Sequence, residues 1–233
     1  MQKVILFDLD STLLQMNQDL FLKHYFKGIA TFAAKLGYNP HEFMEEFQKG
    51  AYAILKNKGT ITNEEAFWNV IENKYHEVDF LKAKFDEFYQ TDFKAIEEIV
   101  DKSDIPNKII KTLKSKGYII ILATNPLFPR ICTLERIRWA GMDYKDFDDI
   151  TTYEDSHYCK PNHLYYEEIL KRNNLSKEGC IMVGNDIDDD FSDLPCDIKP
   201  IIITDYLINK NNKEINMDFY KLEEFYNEIE KNY

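Results

Sequence analysis

The chain has 233 residues, 44% of them apolar and 30% charged, with a formal net charge of -12. That apolar content suits one or two compact domains with a real core, and the acidic excess excludes nucleic acid and anionic membrane as partners, because both are bound through clustered Lys and Arg. Cys132, Cys159, Cys180 and Cys196 form neither a CxxC pair nor a zinc-type cluster, no secretory leader opens the chain, and no apolar run reaches membrane-spanning length, so a soluble cytoplasmic protein with reduced thiols is expected.

The first element is "KVILFDLDSTLL" (3–14), an apolar strand pattern that stops at Asp8 and Asp10. Residues 15–95 break from it, with Phe, Tyr, Glu and Lys at helical spacing and helix starts at Asn39-Pro40 and at Thr62-Asn63-Glu64-Glu65, a capping box. This reads as an all-helical insert. Its aromatic stripes (Phe21, Tyr25, Phe26, Phe32; Phe43, Phe47) are assigned to its own core rather than to a ligand box. Its ends near Leu14 and Ala95 would allow it to swing as a lid.

Beyond the insert, helix patterns at 107–117, 127–141 and 162–174 alternate with apolar runs at 117–125, 179–186 and 198–205, with a weaker strand near 148–151. The apolar runs lack period-2 alternation, as strands covered on both faces do. Strands alternating with helices predict a doubly wound, mainly parallel α/β sheet, built from residues 1–14 and 96–233 and interrupted by the 15–95 insert.

In such a sheet ligands bind beyond the carboxyl ends of the strands. Those ends carry Asp8 and Asp10, then Thr124 and Asn125, then Asn185, Asp186 and the acidic run to Asp190, while Lys160 opens the helix between them. Carboxylates meeting at one rim repel unless a hard divalent cation neutralises them, and Mg²⁺ takes oxygen ligands while keeping waters that a phosphate can replace. Phosphoryl transfer then needs a nucleophile, an acid for the leaving oxygen and donors around the phosphate, which Asp8, Asp10, Thr124, Asn125 and Lys160 supply.

These segments resemble the four motifs of the haloacid dehalogenase superfamily: "DLDST" (8–12) the first, "LATN" (122–125) the second, Lys160 the third and "VGNDIDDD" (183–190) the fourth. The resemblance implies a Rossmann-like core with a C1-type helical cap, the 34 residues between Asn125 and Lys160 leaving no room for the alternative α/β cap. It implies Asp8 as a nucleophile that becomes an aspartyl-phosphate, and Asp10 as the acid that then activates water, with a backbone carbonyl on Mg²⁺. It further implies Thr124, Asn125 and Lys160 as phosphate-binding residues. An acid at position 10 points to phosphatase or phosphomutase chemistry, because members that cleave carbon–halogen bonds lack it.

Two departures stand out. Ser11 occupies a place where glycine is commoner, a tolerable change if the backbone angles there are ordinary, and "GND" inverts the usual Gly-Asp order. Charge selects Asp186 as the principal Mg²⁺ ligand, with Asn185 a neutral ligand or loop-positioning residue, Asp190 a ligand or an orienting partner, and Asp188 and Asp189 solvated. The CxxxxxR spacing of Cys132 to Arg138 is set aside, because Leu134, Glu135 and Ile137 sit mid-helix without glycine. Cys159, His157 and His163 are read as structural or loop residues. The expected activity is Mg²⁺-dependent hydrolysis of a small phosphorylated metabolite; a phosphomutase sharing the same core, or a catalytically silent phosphometabolite-binding protein, are the alternatives.

Overall fold

Alternate residues of each apolar run point to opposite faces of a sheet, and here both faces are covered. In the computed structural model, which describes residues 3–233, one face of the sheet packs Ile5, Phe7, Ile120 and Leu122, and the other packs Val4, Leu6, Ile121 and Ala123. The strands are β1 (Val4–Phe7), β2 (Ile119–Leu122), β3 (Asp149–Ile150), β4 (Cys180–Gly184), β5 (Lys199–Ile203) and β6 (Asp218–Tyr220). They form one parallel sheet in the order β3-β2-β1-β4-β5-β6. Strand order reverses around β1, so the ends of β1, β2 and β4 open onto one crevice.

Four helices follow β1 and make up the insert: α1 (Gln18–Lys35), α2 (Pro40–Leu55), α3 (Asn63–Glu72) and α4 (Val78–Gln90), with a 3₁₀ segment, Asp92–Ile99, after them. The side chains of Asn17 and Asn39 cap α1 and α2, and Thr62 and Glu65 close the capping box on α3. The helices α5 (Ile105–Ser115) and α8 (Leu222–Asn232) lie on the β1 face that carries Phe7, and α7 (His163–Arg172) covers the other. One apolar cluster runs unbroken from the sheet into the insert: Phe93 stacks on Trp139 of α6 (Arg130–Trp139) at 4.8 Å, and Tyr25 meets Phe128 at 5.2 Å. Among the described residues no helix is long and apolar enough to cross a membrane.

Four details differ from the sequence expectation. The helix predicted over 127–141 begins only at Arg130, because Pro129 caps it in an extended conformation. Lys160 lies in the loop before α7 rather than at the start of the helix. β6 and α8 had no apolar run to announce them; α8 buries only Leu222, Phe225 and Ile229, one residue per turn. Lastly, Ser11 does not have ordinary angles: its φ is +64°, in the left-handed region. It is held there by its amide donating to Leu14 O at 2.8 Å and its hydroxyl donating to Met16 O at 2.8 Å.

A left-handed non-glycine residue costs on the order of 1 kcal/mol, and a buried hydrogen bond contributes about as much. Ser11→Ala keeps the strained angle and loses the hydroxyl, and should cost about 1 kcal/mol, whereas Ser11→Gly loses both together and should be near neutral. Urea unfolding of the two variants measures the difference; an alanine variant as stable as the glycine variant would remove the hydroxyl from this account.

Candidate active site

Asp8 follows the last residue of β1 and is fixed by its own amide, which donates to Val183 O at 2.9 Å. The carboxylate is buried at the floor of a cavity of about 200 Å³ between the sheet ends and the helical insert. Lys160 Nζ reaches it there, 2.7 Å from Asp8 Oδ1 and 2.6 Å from Asp190 Oδ1. Thr12 Oγ1 lies between Asp8 Oδ2 (3.2 Å) and Asn185 Oδ1 (3.0 Å) and can donate to either. The structure thus brings Asp8, Asp10, Thr124, Asn125, Lys160, Asn185, Asp186 and Asp190 onto one cavity.

Burial pushes the Asp8 carboxyl up to about 7; the carboxylates of Asp190 and Asp10 add to the rise and the Lys160 ammonium opposes it. Burial alone would lower Lys160, but Asp190 and Asp8 override it and hold the ammonium well above the usual lysine range. Asp190 has both oxygens engaged, Oδ1 by Lys160 and Oδ2 by the amides of Asn185 and Asp186 at 3.0 Å each. Gly184 makes room for it: a Cβ there would come within 2.2 Å of the Asp190 carboxylate. Asp186 Oδ1 accepts from the amides of Asp188 and Asp189, 2.8 and 3.0 Å away, closing the acidic turn. Asp188 pairs with Lys213, and Asp189 is exposed at the cavity rim.

Two residues that sequence reasoning passed over shape the site. Arg136 of α6 is wholly buried, pairs with Asp10 Oδ2 and stacks on Phe128, its guanidinium carbon 4.4 Å from the ring centre. Its signal was an arginine on the same helix face as Cys132, Thr133 and Ile137, a face that is otherwise apolar or small. Thr12 is the other. Its hydroxyl had no distinguishing mark in sequence beyond its place after the two aspartates.

The rival residues fall outside the cavity. Cys132 and Cys159 are buried thiols that burial raises to about 12, far from the thiolate a nucleophile requires. His157 pairs with Glu168 at 2.6 Å, and His163 with Asp193 at 2.9 Å. The aromatic stripes divide: Phe32 and Phe43 are core alone, whereas Phe21, Tyr25, Phe26 and Phe47 also wall the cavity, contrary to the expectation that all were core.

The donor set suits a hard divalent cation. Asp10 Oδ1 and Asn125 Oδ1 are buried without a hydrogen-bond partner, and Asp8 is left with too little positive charge around it. Among the described residues no three His, Cys, Asp or Glu side chains form a closed metal shell. Mg²⁺ is typically held by one or two carboxylates and completes its shell with water and phosphate.

Over residues 2–191 the sequence matches the family described as haloacid dehalogenase-like hydrolase. Its fold is similar to that of a HAD phosphatase from Thermococcus onnurineus, at 17% identity and a TM-score of 0.57 over 96% of each chain. It is similar to the 2-haloacid dehalogenase of Pseudomonas syringae, at 17% identity and a TM-score of 0.61 over 98% of each. It also resembles YfnB from Bacillus subtilis, a HAD-hydrolase solved with magnesium, at 19% identity and a TM-score of 0.57 over 98% of this chain and 99% of that one. No curated protein matches it in sequence.

A carboxyl raised to about 7 binds its proton more tightly in the folded than in the unfolded chain. Its contribution to stability is therefore full below about pH 4 and is lost as pH rises through about 7. In metal-free protein, Asp8→Asn removes a buried charge that is unfavourable only at the higher pH. It should raise the melting temperature at pH 8 and change it much less at pH 5. Thermal unfolding in chelator checks this, and a variant less stable than the parent at pH 8 would reverse the sign of the Asp8 environment.

Proposed function

The chain belongs to the haloacid dehalogenase-like hydrolases, and on that premise we propose that it is a Mg²⁺-dependent phosphatase acting on a small phosphate monoester through an aspartyl-phosphate on Asp8. The observation that carries this is Asp10, two residues beyond Asp8 and on the same cavity. A departing halide needs no proton, whereas a departing alkoxide does. An acid at that place therefore serves ester cleavage and has no use in dehalogenation.

In this reading Asp8 attacks phosphorus while Asp10 protonates the ester oxygen that leaves. Arg136 occupies Asp10 Oδ2, so Oδ1, which is free of partners, carries the proton to the leaving group and then takes one from the water that hydrolyses the acyl phosphate. Lys160 stays on Asp8 and meets the phosphate oxygens, which Thr124 and the Asn125 amide, on the same cavity, also hold. Asp190 orients Lys160 and the turn after β4, because both of its oxygens are engaged in doing so. Asp8, the Asp10 carbonyl and Asp186 would hold the cation, with Asn185 as a neutral neighbour; when bound, it neutralises charge on the phosphoryl oxygens.

The purified protein should release inorganic phosphate from small monoesters with Mg²⁺ present, and chelation should abolish this reversibly. Asp8→Asn should remove turnover and Asp10→Asn should lower it on the order of a hundredfold, with Cys132→Ser close to the parent. Full activity in chelator, or loss with Cys132→Ser alone, would overturn the reading.

A separate titration addresses the acidic turn. Asp186→Ala should raise the Mg²⁺ concentration needed for half-maximal activity steeply, while Asp188→Ala, whose carboxylate faces Lys213, should leave it unchanged. Equal requirements in both variants would remove Asp186 from the cation site.

A further inference from the structure

The cavity is divided by chemistry. Each ionisable carboxylate or ammonium on it (Asp8, Asp10, Lys160, Asp186, Asp189, Asp190) belongs to the sheet-end side. The opposite side is built of rings: Phe21, Tyr25 and Phe26 from α1, Phe47 from α2, Phe67 from α3, and Phe128 from the loop after β2. The one hydroxyl among them, that of Tyr25, is already paired with Tyr89 OH at 2.7 Å. The side chain of Gln18 supplies the single amide contributed by the insert.

Resting on the phosphatase reading above, we propose that the substrate is a phosphate ester of an apolar, uncharged alcohol or phenol, whose aryl or short alkyl group fills the ring-lined half of the cavity. The ester's phosphate defines one end, at Asp8 and Lys160. Its other end meets neither a cation nor a row of donors. A carboxylate, as in a phosphorylated hydroxy acid, would be stripped of water beside aromatic faces with no Lys or Arg lining that half to receive it, the guanidinium of Arg136 that stacks on Phe128 being already paired with Asp10. Each hydroxyl of a sugar would lose its hydrogen bonds to water against carbon. An apolar group loses nothing there and gains with each carbon buried, and an aryl group can stack on the rings as well. The phosphate shares the cavity of about 200 Å³, which leaves room suited to a single ring or a short chain.

Alkyl phosphates provide the test, because lengthening the chain hardly changes the leaving-group chemistry. With Mg²⁺ bound, kcat/KM should rise about threefold to fourfold per methylene from ethyl to butyl phosphate. Butyl and phenyl phosphate should exceed glucose 6-phosphate, 2-phosphoglycolate and phosphocholine by about a hundredfold. Phe26→Arg, at a half-buried position on the wall, should lower butyl phosphate turnover and raise that of 2-phosphoglycolate about tenfold. Calorimetric binding of the same esters to the Asp8→Asn protein, which does not depend on turnover, should give the same order. A flat or falling alkyl series in both readouts overturns the proposal. So does preference for the sugar or acid esters, or for phosphocholine, which would make the rings a cage for a quaternary ammonium. Acetyl phosphate separates the two readings: binding in the expected order with no hydrolysis of acetyl phosphate by the parent protein would end the phosphatase reading and leave the ligand class standing.

Discussion

One ammonium group among too many carboxylates governs the architecture of this site. Lys160 bridges Asp8, at the end of β1, and Asp190, beyond β4, and is buried with both. Taking such a group out of water is costly unless partners surround it, and breaking a buried pair costs more than forming it contributes. The neighbouring details follow from meeting that cost. Gly184 lacks the Cβ that would displace Asp190, two backbone amides hold the second Asp190 oxygen, and Thr12 offers its hydroxyl to Asp8. Arg136 does for Asp10 what Lys160 does for Asp8, from a helix on the other side of the crevice. Burial, with the nearby carboxylates adding to it, raises the Asp8 carboxyl, and a divalent cation beside it would favour the charged form.

Asn185 belongs to the same balance. Its amide oxygen faces the hydroxyl that also faces Asp8, and its amide nitrogen donates to Tyr206 O at 2.7 Å, so it is anchored on both sides. A carboxylate there would add a further negative charge beside Asp8 and would have no proton to give Tyr206. An amide meets both neighbours, and Asp186, the next residue, uses one carboxylate oxygen to shape the loop and keeps the other free of it.

Much of this was legible in sequence because strand ends in a parallel sheet converge by topology alone. The apolar runs ending at Phe7, Leu122 and Gly184 therefore place Asp8, Thr124 and Asn185 together by their pattern alone. The insert was legible from its change of period. What stayed hidden depends on angles and contacts that leave no pattern. Ser11 adopts a left-handed turn that its identity argues against, and Arg136 enters the site from the middle of a helix. The aromatic stripes were ambiguous in principle, since a ring that packs on a core and a ring that walls a cavity have the same spacing. Only the position of α1 and α2 over the crevice separates Phe47 from Phe43.

Asn63, at the first turn of α3, is fully buried, and its amide nitrogen donates toward Pro126 O, Tyr158 O and Cys159 Sγ at 3.3 to 3.5 Å. Its backbone amide donates to Ser156 O, and that of Glu64 to Tyr153 O, both at 2.8 Å. The insert is thereby riveted to the two loops that carry Asn125 and Lys160, well away from its chain connections at either end. A whole-body swing would break these bonds between the insert and the loops, at a cost of about 1 kcal/mol for each. Traffic through the chamber is better served by rotation of the half-buried side chains at its mouth, Leu22 and Phe26, while the riveted edge stays still. Side-chain rotations of that kind are faster than closure of a whole domain, so access to the chamber need not wait on the slower motion.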